Sequence, residues 1–270
     1  MTESISFNIR LTNSVQEKKS QLCIGLDLDP DKTTVLHDNS LESLVSASLK
    51  IVDATCEKVW GYKLNFAFFE RYGSRGYQWL EKLRSHIGER ALVIGDAKRG
   101  DIGNSSRNYA LSVFDHFNMD AVTFHPYMGH DSLAPFTVDP YRGVFVLCLT
   151  SNPGSGDFQR LEFDGLPLHL RTAAWASDNN SNNNIGLVVG ATHPSDLQNV
   201  REMAPDLPFL IPGVGAQGGS LEAAAKVGTE TAPAIITVSR GAIYPGQGSL
   251  AEIAAAVNNY NHQIREIQGH

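Results

Sequence analysis

Four charges fall within six positions of "VIGDAKRGDIG" (93–103): Asp96, Lys98, Arg99 and Asp101 follow directly on the apolar Val93-Ile94-Gly95. Taking charge out of water costs several kcal/mol per ion unless each one is paired. A chain that puts Asp-x-Lys-x-x-Asp at the edge of its core therefore needs partners for these groups, and Lys63 in "GYKLNF" (61–66) is a second cation at the end of an apolar run. In an alternating Lys–Asp–Lys–Asp array each charge favours the ionised form of its neighbours. Such an array can press negative charge against a substrate anion and offer a proton where that anion departs.

A second group is "PGVGAQGG" (212–219), which holds G-x-G-x-x-G at Gly213, Gly215 and Gly218. A dinucleotide fingerprint needs an acidic ribose ligand at the end of the following strand, where this chain has Ser239 and Arg240. Arginine suits a 2′-phosphate, so that alone does not exclude a dinucleotide, but the motif lies too near the end of the chain for a complete dinucleotide fold. The simpler reading is a cup for one phosphate, made of glycine N–H groups at a helix N-terminus together with Arg240.

Other chemistries lack support. The nine histidines form no H-E-x-x-H; His125 and His130 in "HPYMGH" are an isolated pair, and His125 reads as a hydrogen-bonded structural residue. Asp29, one step beyond Asp27 and Leu28 in "LDLDP", reads as a turn cap. No G-x-S-x-G supports a serine nucleophile. Cys23, Cys56 and Cys148 are odd in number and set among apolar residues, as reduced packing cysteines are. No metal site is predicted.

The elements that must carry these residues are eight short apolar runs: 22–27, 61–66, 91–96, 121–125, 143–150, 185–190, 208–213 and 234–239. Their richness in Val, Ile, Leu and Phe is that of strands buried on both faces. Amphipathic helical segments at 41–59, 77–88, 105–117, 167–177, 193–204 and 220–228 lie between them. The count and the length fit a (β/α)8 TIM barrel covering 1–270 as one domain, with a short N-terminal extension over about residues 1–20. An open doubly wound sheet shares the alternation and is the runner-up. In a barrel the active site lies at the C-terminal strand ends. Asp27, Lys63, Asn65, Asp96, Ser151 and the Ser239-Arg240 pair all fall there. The irregular stretch 150–165 reads as a lid loop, and "DNNSNNN" (178–184) as a solvated loop of no mechanistic interest.

A formal charge of −7 with no block of like charge argues against nucleic acid or an anionic membrane as partner. The N-terminus has no apolar signal-peptide core, and no stretch approaches a membrane span, so a cytoplasmic location is expected.

Taken in order, "CIGLDLDP", "YKLNFAFFE", "DAKRGDIGNSS", "TSNPG", "PGVGAQGG" and "SRGAIY" resemble the orotidine 5′-phosphate decarboxylase family from about residue 20 to 245, and "DAKRGDIG" and "HPYMG" resemble its bacterial-type branch. The resemblance implies decarboxylation of orotidine 5′-phosphate to UMP, in pyrimidine synthesis, with no cofactor. It implies that Lys98 protonates the pyrimidine C6, that Asp96 crowds the departing carboxylate, and that Lys63 links this array to the ribose. Asp27 would bind ribose hydroxyls, Ser151 the pyrimidine amide, and Gln217 with Arg240 the phosphate, while Pro212 would begin a closing loop. Asp101, Ile102 and Ser105 would reach into the second site of a homodimer. Ser239 stands where many members have glycine and Ser105 where many have threonine; a backbone N–H and a hydroxyl remain. Within the same superfamily, Mg²⁺-dependent sugar-phosphate decarboxylases or aldolases share Asp-x-Lys-x-x-Asp but carry an acid on the second strand, where this chain has Lys63. An inactive nucleotide-binding module is a further alternative, against which the intact Lys98 argues.

Overall fold

The computed structural model describes residues 5–32, 38–215 and 218–269. Among them, eight parallel strands close a barrel: β1 (Leu22–Gly25), β2 (Gly61–Asn65), β3 (Leu92–Arg99), β4 (Ala121–Phe124), β5 (Gly143–Leu149), β6 (Ile185–Val189), β7 (Phe209–Ile211) and β8 (Ala234–Val238). Each strand pairs with the next in the chain, and β8 returns to β1 with Leu22 opposite Ile236 and Ile24 opposite Val238. That last pairing closes the sheet and rules out the open doubly wound arrangement. The strands are buried almost throughout because helices cover them from outside while side chains fill the interior.

All six helical segments read from the sequence form helices: α2 (Leu41–Thr55), α4 (Ser74–Ile87), α5 (Gly103–Leu111), α7 (Leu168–Asp178), α8 (Pro194–Met203) and α9 (Leu221–Lys226). Several carry their own start signals. Ser40 and Ser220 accept N–H bonds from Ser43 and Ala223 at the first turns of α2 and α9. The structure adds α1 (Phe7–Lys18), α3 (Phe66–Glu70), α6 (His130–Thr137), α10 (Arg240–Ile243) and α11 (Leu250–Gln268), the last begun by a Ser249/Glu252 capping box. Among the described residues no helix is long and apolar enough to cross a membrane.

Of the stretch set apart as an N-terminal extension, residues 7–18 form a helix that packs into the barrel. Helix α1 places Phe7, Leu11 and Val15, spaced by four, against Cys23, Trp60, Ile94, Ala121 and Phe145 at the N-terminal end of the strands. The Phe7 and Phe145 rings meet edge to face at 5.9 Å. Gly143 makes room for them: a Cβ there would lie 2.3 Å from the Phe7 ring. The signal was present in the Phe7-Leu11-Val15 spacing.

The asparagine-rich stretch 178–184 is likewise more than a solvated loop. Asn184 is fully buried, and its Nδ2 lies 3.0–3.1 Å from the carbonyl oxygens of Thr137, Asp139 and Arg142. Asn180 Oδ1 accepts the N–H groups of Asn184 and Ile185, and Asn8 on α1 donates to Asn183 Oδ1. Polar side chains here replace secondary structure in satisfying buried backbone. Asn184→Ala removes all three bonds, although Thr137 O keeps the Asn182 amide and Asp139 O the Arg142 N–H, and is expected to lower unfolding free energy by about 1–2 kcal/mol, read from urea denaturation. A change below about 0.5 kcal/mol, the level of an ordinary surface substitution, would make the loop dispensable.

The stretch after β5 is irregular only in part. A short hairpin pairs Glu162–Phe163 with Leu166–Pro167 across Asp164-Gly165, both at positive φ (51° and 70°), the geometry of a type I′ turn.

Candidate active site

The charged residues converge at the C-terminal mouth of the barrel, as barrel geometry requires. The parallel register sets Gly25 beside Lys63, Lys63 beside Ile94, and Asn65 beside Asp96. Lys63 and Asp96 are both buried, whereas Lys98 is exposed to solvent. Lys63 Nζ lies 2.9 Å from Asp96 Oδ2 and 3.6 Å from Asp27 Oδ1, and Lys98 Nζ lies 2.7 Å from Asp96 Oδ1. Asp96 thus stands between two ammonium groups, and Lys63 between two carboxylates.

Electrostatics follow from the geometry. Burial alone would raise the Asp96 carboxyl, but Lys63 and Lys98 outweigh it and hold the group well below the usual carboxylate range. Burial alone would lower the Lys63 ammonium, but Asp27 and Asp96 raise it well above the usual lysine range. The Asp96 carboxylate and the Lys63 ammonium therefore keep their charges throughout the neutral range. Cys23 lies beneath this layer, and burial pushes its thiol up to about 12, which makes it a poor nucleophile.

Local backbone aims the array. Pairing of β3 with β4 steps from Gly95–Val122 to Arg99–Phe124, so β3 carries two extra residues and bulges where Asp96 and Lys98 lie. Lys98 sits at φ 46°, left-handed backbone that a residue with a Cβ seldom adopts. Asn65, placed with the chemistry at the sequence level, caps α3 by accepting the Ala67 N–H.

A cavity of about 370 Å³ opens above these residues. Its lining brings together Asp27, Lys63, Asp96, Lys98, Ser151, Pro212, Ser239 and Arg240 of the sequence candidates. Ser239 donates to Asp27 Oδ2 at 2.8 Å, so this serine serves the carboxylate directly. Tyr244, from α10's end, donates to Asp27 O and accepts the Asp29 N–H, while the Asp29 side-chain Oδ1 accepts the Asp31 N–H as a turn cap does. His125 accepts the Tyr127 N–H, a structural role. Among the described residues, no three His, Cys, Asp or Glu side chains gather as a metal site would require.

The glycine loop departs from the expected phosphate cup in one respect. Gly213, Gly215 and Gly218 have φ of 95°, 76° and 77°, so the glycines are needed for the turn. However, the Gly218 and Gly219 N–H groups bond to Gly215 O and Gly213 O, and Ser220 caps α9. Those amides serve the turn and the helix, and only Gly213 of the three fingerprint glycines lines the cavity, together with Pro212 and Arg240. Gln217 lies outside the described residues.

Asp101, Ile102 and Ser105 do not line the cavity of their own chain. Asp101 Oδ1 accepts the Ile102 N–H; Ile102 is 54% exposed and Ser105 is exposed, all around the start of α5. Sequence reasoning missed Thr123 and Thr237, which line the cavity, and Tyr244, which braces its edge. Both lie on strands buried on both faces, so neither "AVTFH" nor "AIITVS" carries a period-two pattern that would mark them in the sequence.

Comparison with known proteins agrees with this arrangement. Residues 20–259 match the family described as Orotidine 5'-phosphate decarboxylase / HUMPS. The chain is 45% identical over 274 residues to an orotidine 5'-phosphate decarboxylase of Thermomicrobium roseum, covering 98% of this chain and 96% of that one. It is 42% identical over 266 residues to the protein of that name from Roseiflexus castenholzii, with 97% of each covered. The structure of Leishmania donovani OMP decarboxylase superposes with a TM-score of 0.86 at 38% identity, covering 98% of this chain and all of that one. With the charged mouth, the closed barrel and near-complete alignment in agreement, the chain belongs to the orotidine 5′-phosphate decarboxylase / HUMPS family.

Proposed function

We propose that this protein decarboxylates orotidine 5′-phosphate to UMP, with no metal or organic cofactor. The observation that carries the reading is the ammonium of Lys63, 2.9 Å from Asp96 and 3.6 Å from Asp27. A hard divalent cation such as Mg²⁺ would need these carboxylates, and the buried lysine competes for them with the same sign of charge. The Mg²⁺-dependent sugar-phosphate reading is therefore disfavoured. The names of the relatives, each a decarboxylase of this substrate, support the same choice.

In the proposed reaction the bond between C6 and the carboxylate breaks and its electron pair stays on C6. Carbon dioxide leaves, and a proton passes from Lys98 Nζ to C6; the neutral amine regains a proton from water. Asp96 faces the substrate carboxylate with like charge, which is relieved as carbon dioxide departs. Lys98 gains attraction as carbanion charge grows, so the transition state is favoured over the ground state. Asp27 would bind ribose hydroxyls: its Oδ1 is buried, makes no hydrogen bond among the described residues, and borders the cavity. Ser151 would bind the pyrimidine amide, and Arg240 with Gln217 the phosphate, Pro212 beginning the loop that closes on it.

The protein would act as a single barrel domain in the cytoplasm and as a homodimer. Asp101, Ile102 and Ser105, held at the surface beside the mouth, would complete the second protomer's site.

The test is the loss of orotidine 5′-phosphate absorbance on adding protein, with EDTA in excess, and identification of UMP as product. Full activity in EDTA is expected. Activity lost to the chelator and restored by Mg²⁺ would move the protein to the sugar-phosphate group, and an unchanged substrate would overturn the reading.

A further inference from the structure

The bulge that carries Asp96 and Lys98 is held from the neighbouring strand by one side chain. Thr123, on β4 and 2% exposed, donates its hydroxyl hydrogen to Asp96 Oδ1 at 2.9 Å. Thr123 Oγ1 in turn accepts the Lys98 backbone N–H at 2.9 Å. Asp96 Oδ1 also accepts from Lys98 Nζ at 2.7 Å. The Lys98 residue is therefore fixed at both ends, its ammonium to Asp96 and its backbone to Thr123, and Thr123 closes the loop between them.

Such a clasp is needed because ordinary strand pairing is interrupted here. Between Gly95 and Arg99 the β3–β4 ladder skips two residues, so the bulge lacks the usual hydrogen bonds to β4. Lys98 is also in left-handed backbone, which persists only where surroundings over-determine it. A hydroxyl is the smallest group that can accept from the backbone N–H and donate to a carboxylate at once. Valine has the same shape and could do neither.

We infer that Thr123 is a positioning residue for the decarboxylation: its hydroxyl sets the bulged backbone of Lys98 and the rotamer of Asp96, and so the place of the transferred proton. This rests on the function proposed above. Proton transfer depends on donor placement to within a fraction of an ångström, whereas binding of the phosphate and ribose ends does not use this hydroxyl. Loss of the hydroxyl should thus act on the chemical step.

Thr123→Val and Thr123→Ser are compared with wild type by steady-state kinetics on orotidine 5′-phosphate and by equilibrium titration with UMP. The valine protein is expected to lose about 10- to 100-fold in kcat, as removal of a hydrogen bond to a charged group does. Its KM and its UMP affinity should stay within about threefold of wild type, and serine should restore kcat to within about threefold, because the hydroxyl and not the methyl carries the effect. Should the valine protein fail to bind UMP, Thr123→Ala is read by the same split. A valine or alanine protein with wild-type kcat overturns the inference, and so does a serine protein as impaired as the valine one. Wild-type protein that leaves the substrate unchanged would instead overturn the decarboxylase reading, and this inference with it.

Discussion

Lys98→Ala is expected to lower kcat by at least about a thousandfold while the protein still binds UMP. The side chain supplies two effects at one atom, a proton for C6 and a positive charge beside the developing carbanion. A positioned general acid contributes about 10²–10⁴-fold, and a preorganised charge at the transition state a further 10²–10³-fold or so. Binding should survive because Lys98 is exposed at the rim and the buried Lys63–Asp96 pair, 2.9 Å apart, remains when it is removed. UMP also lacks the carboxylate that the array acts on. Kinetics of the variant, alongside a UMP titration, separate the two effects. Turnover within tenfold of wild type would remove Lys98 from the mechanism.

The second large effect concerns the proposed dimer. If each site takes Lys98 from one protomer and Asp101 from the other, Lys98→Ala and Asp101→Ala homodimers should both be nearly inactive. Mixed under conditions of subunit exchange, they form heterodimers in which one site has lost both residues and the other neither. Random pairing makes about half of the dimers mixed, each with one intact site, so about a quarter of wild-type activity should return. If Asp101 acts within its own chain, every site stays defective. No recovery, with exchange verified by mass spectrometry, would refute a shared site. The surface position of Asp101, Ile102 and Ser105, off their own cavity, motivates the experiment.

What could be read in the sequence differs by kind of residue. The eight barrel strands were legible because strands buried on both faces are continuous apolar runs, and a charge at the end of such a run stands out. Asp27, Lys63 and Asp96 were found in this way. Thr123 and Thr237 were not, since a threonine inside a strand looks like ordinary β-propensity until the register shows which face it occupies. Helix α1 was missed for another reason: Phe7, Leu11 and Val15 are separated by Asn8, Arg10, Thr12 and Ser14, which dilute the apolar signal. Asn184 escaped because composition marks an asparagine run as solvent-facing, and only the fold shows three carbonyls converging on it. The glycine motif was read as a phosphate cup, yet which of its N–H groups remain free depends on hydrogen bonds within the turn that its glycines make.

The anchors of α1 also govern the order in which the chain can complete itself. Phe7 N–H bonds to Pro140 O, Arg10 pairs with Asp120 at 2.8 Å, and Asn8 reaches Ile185 O across 177 residues of sequence. Helix α1 is thus synthesised well before its place is ready, since its receptor includes β5 and the asparagine clasp before β6. At a synthesis rate of about 5–20 residues per second, the apolar stripe of α1 waits roughly 10–35 s for Asn183 and Ile185 to emerge. During that time the floor of the nascent barrel is open and the helix that will seal it is free to meet other chains. Contacts so distant in sequence leave α1 exposed to misassembly while the barrel is being made.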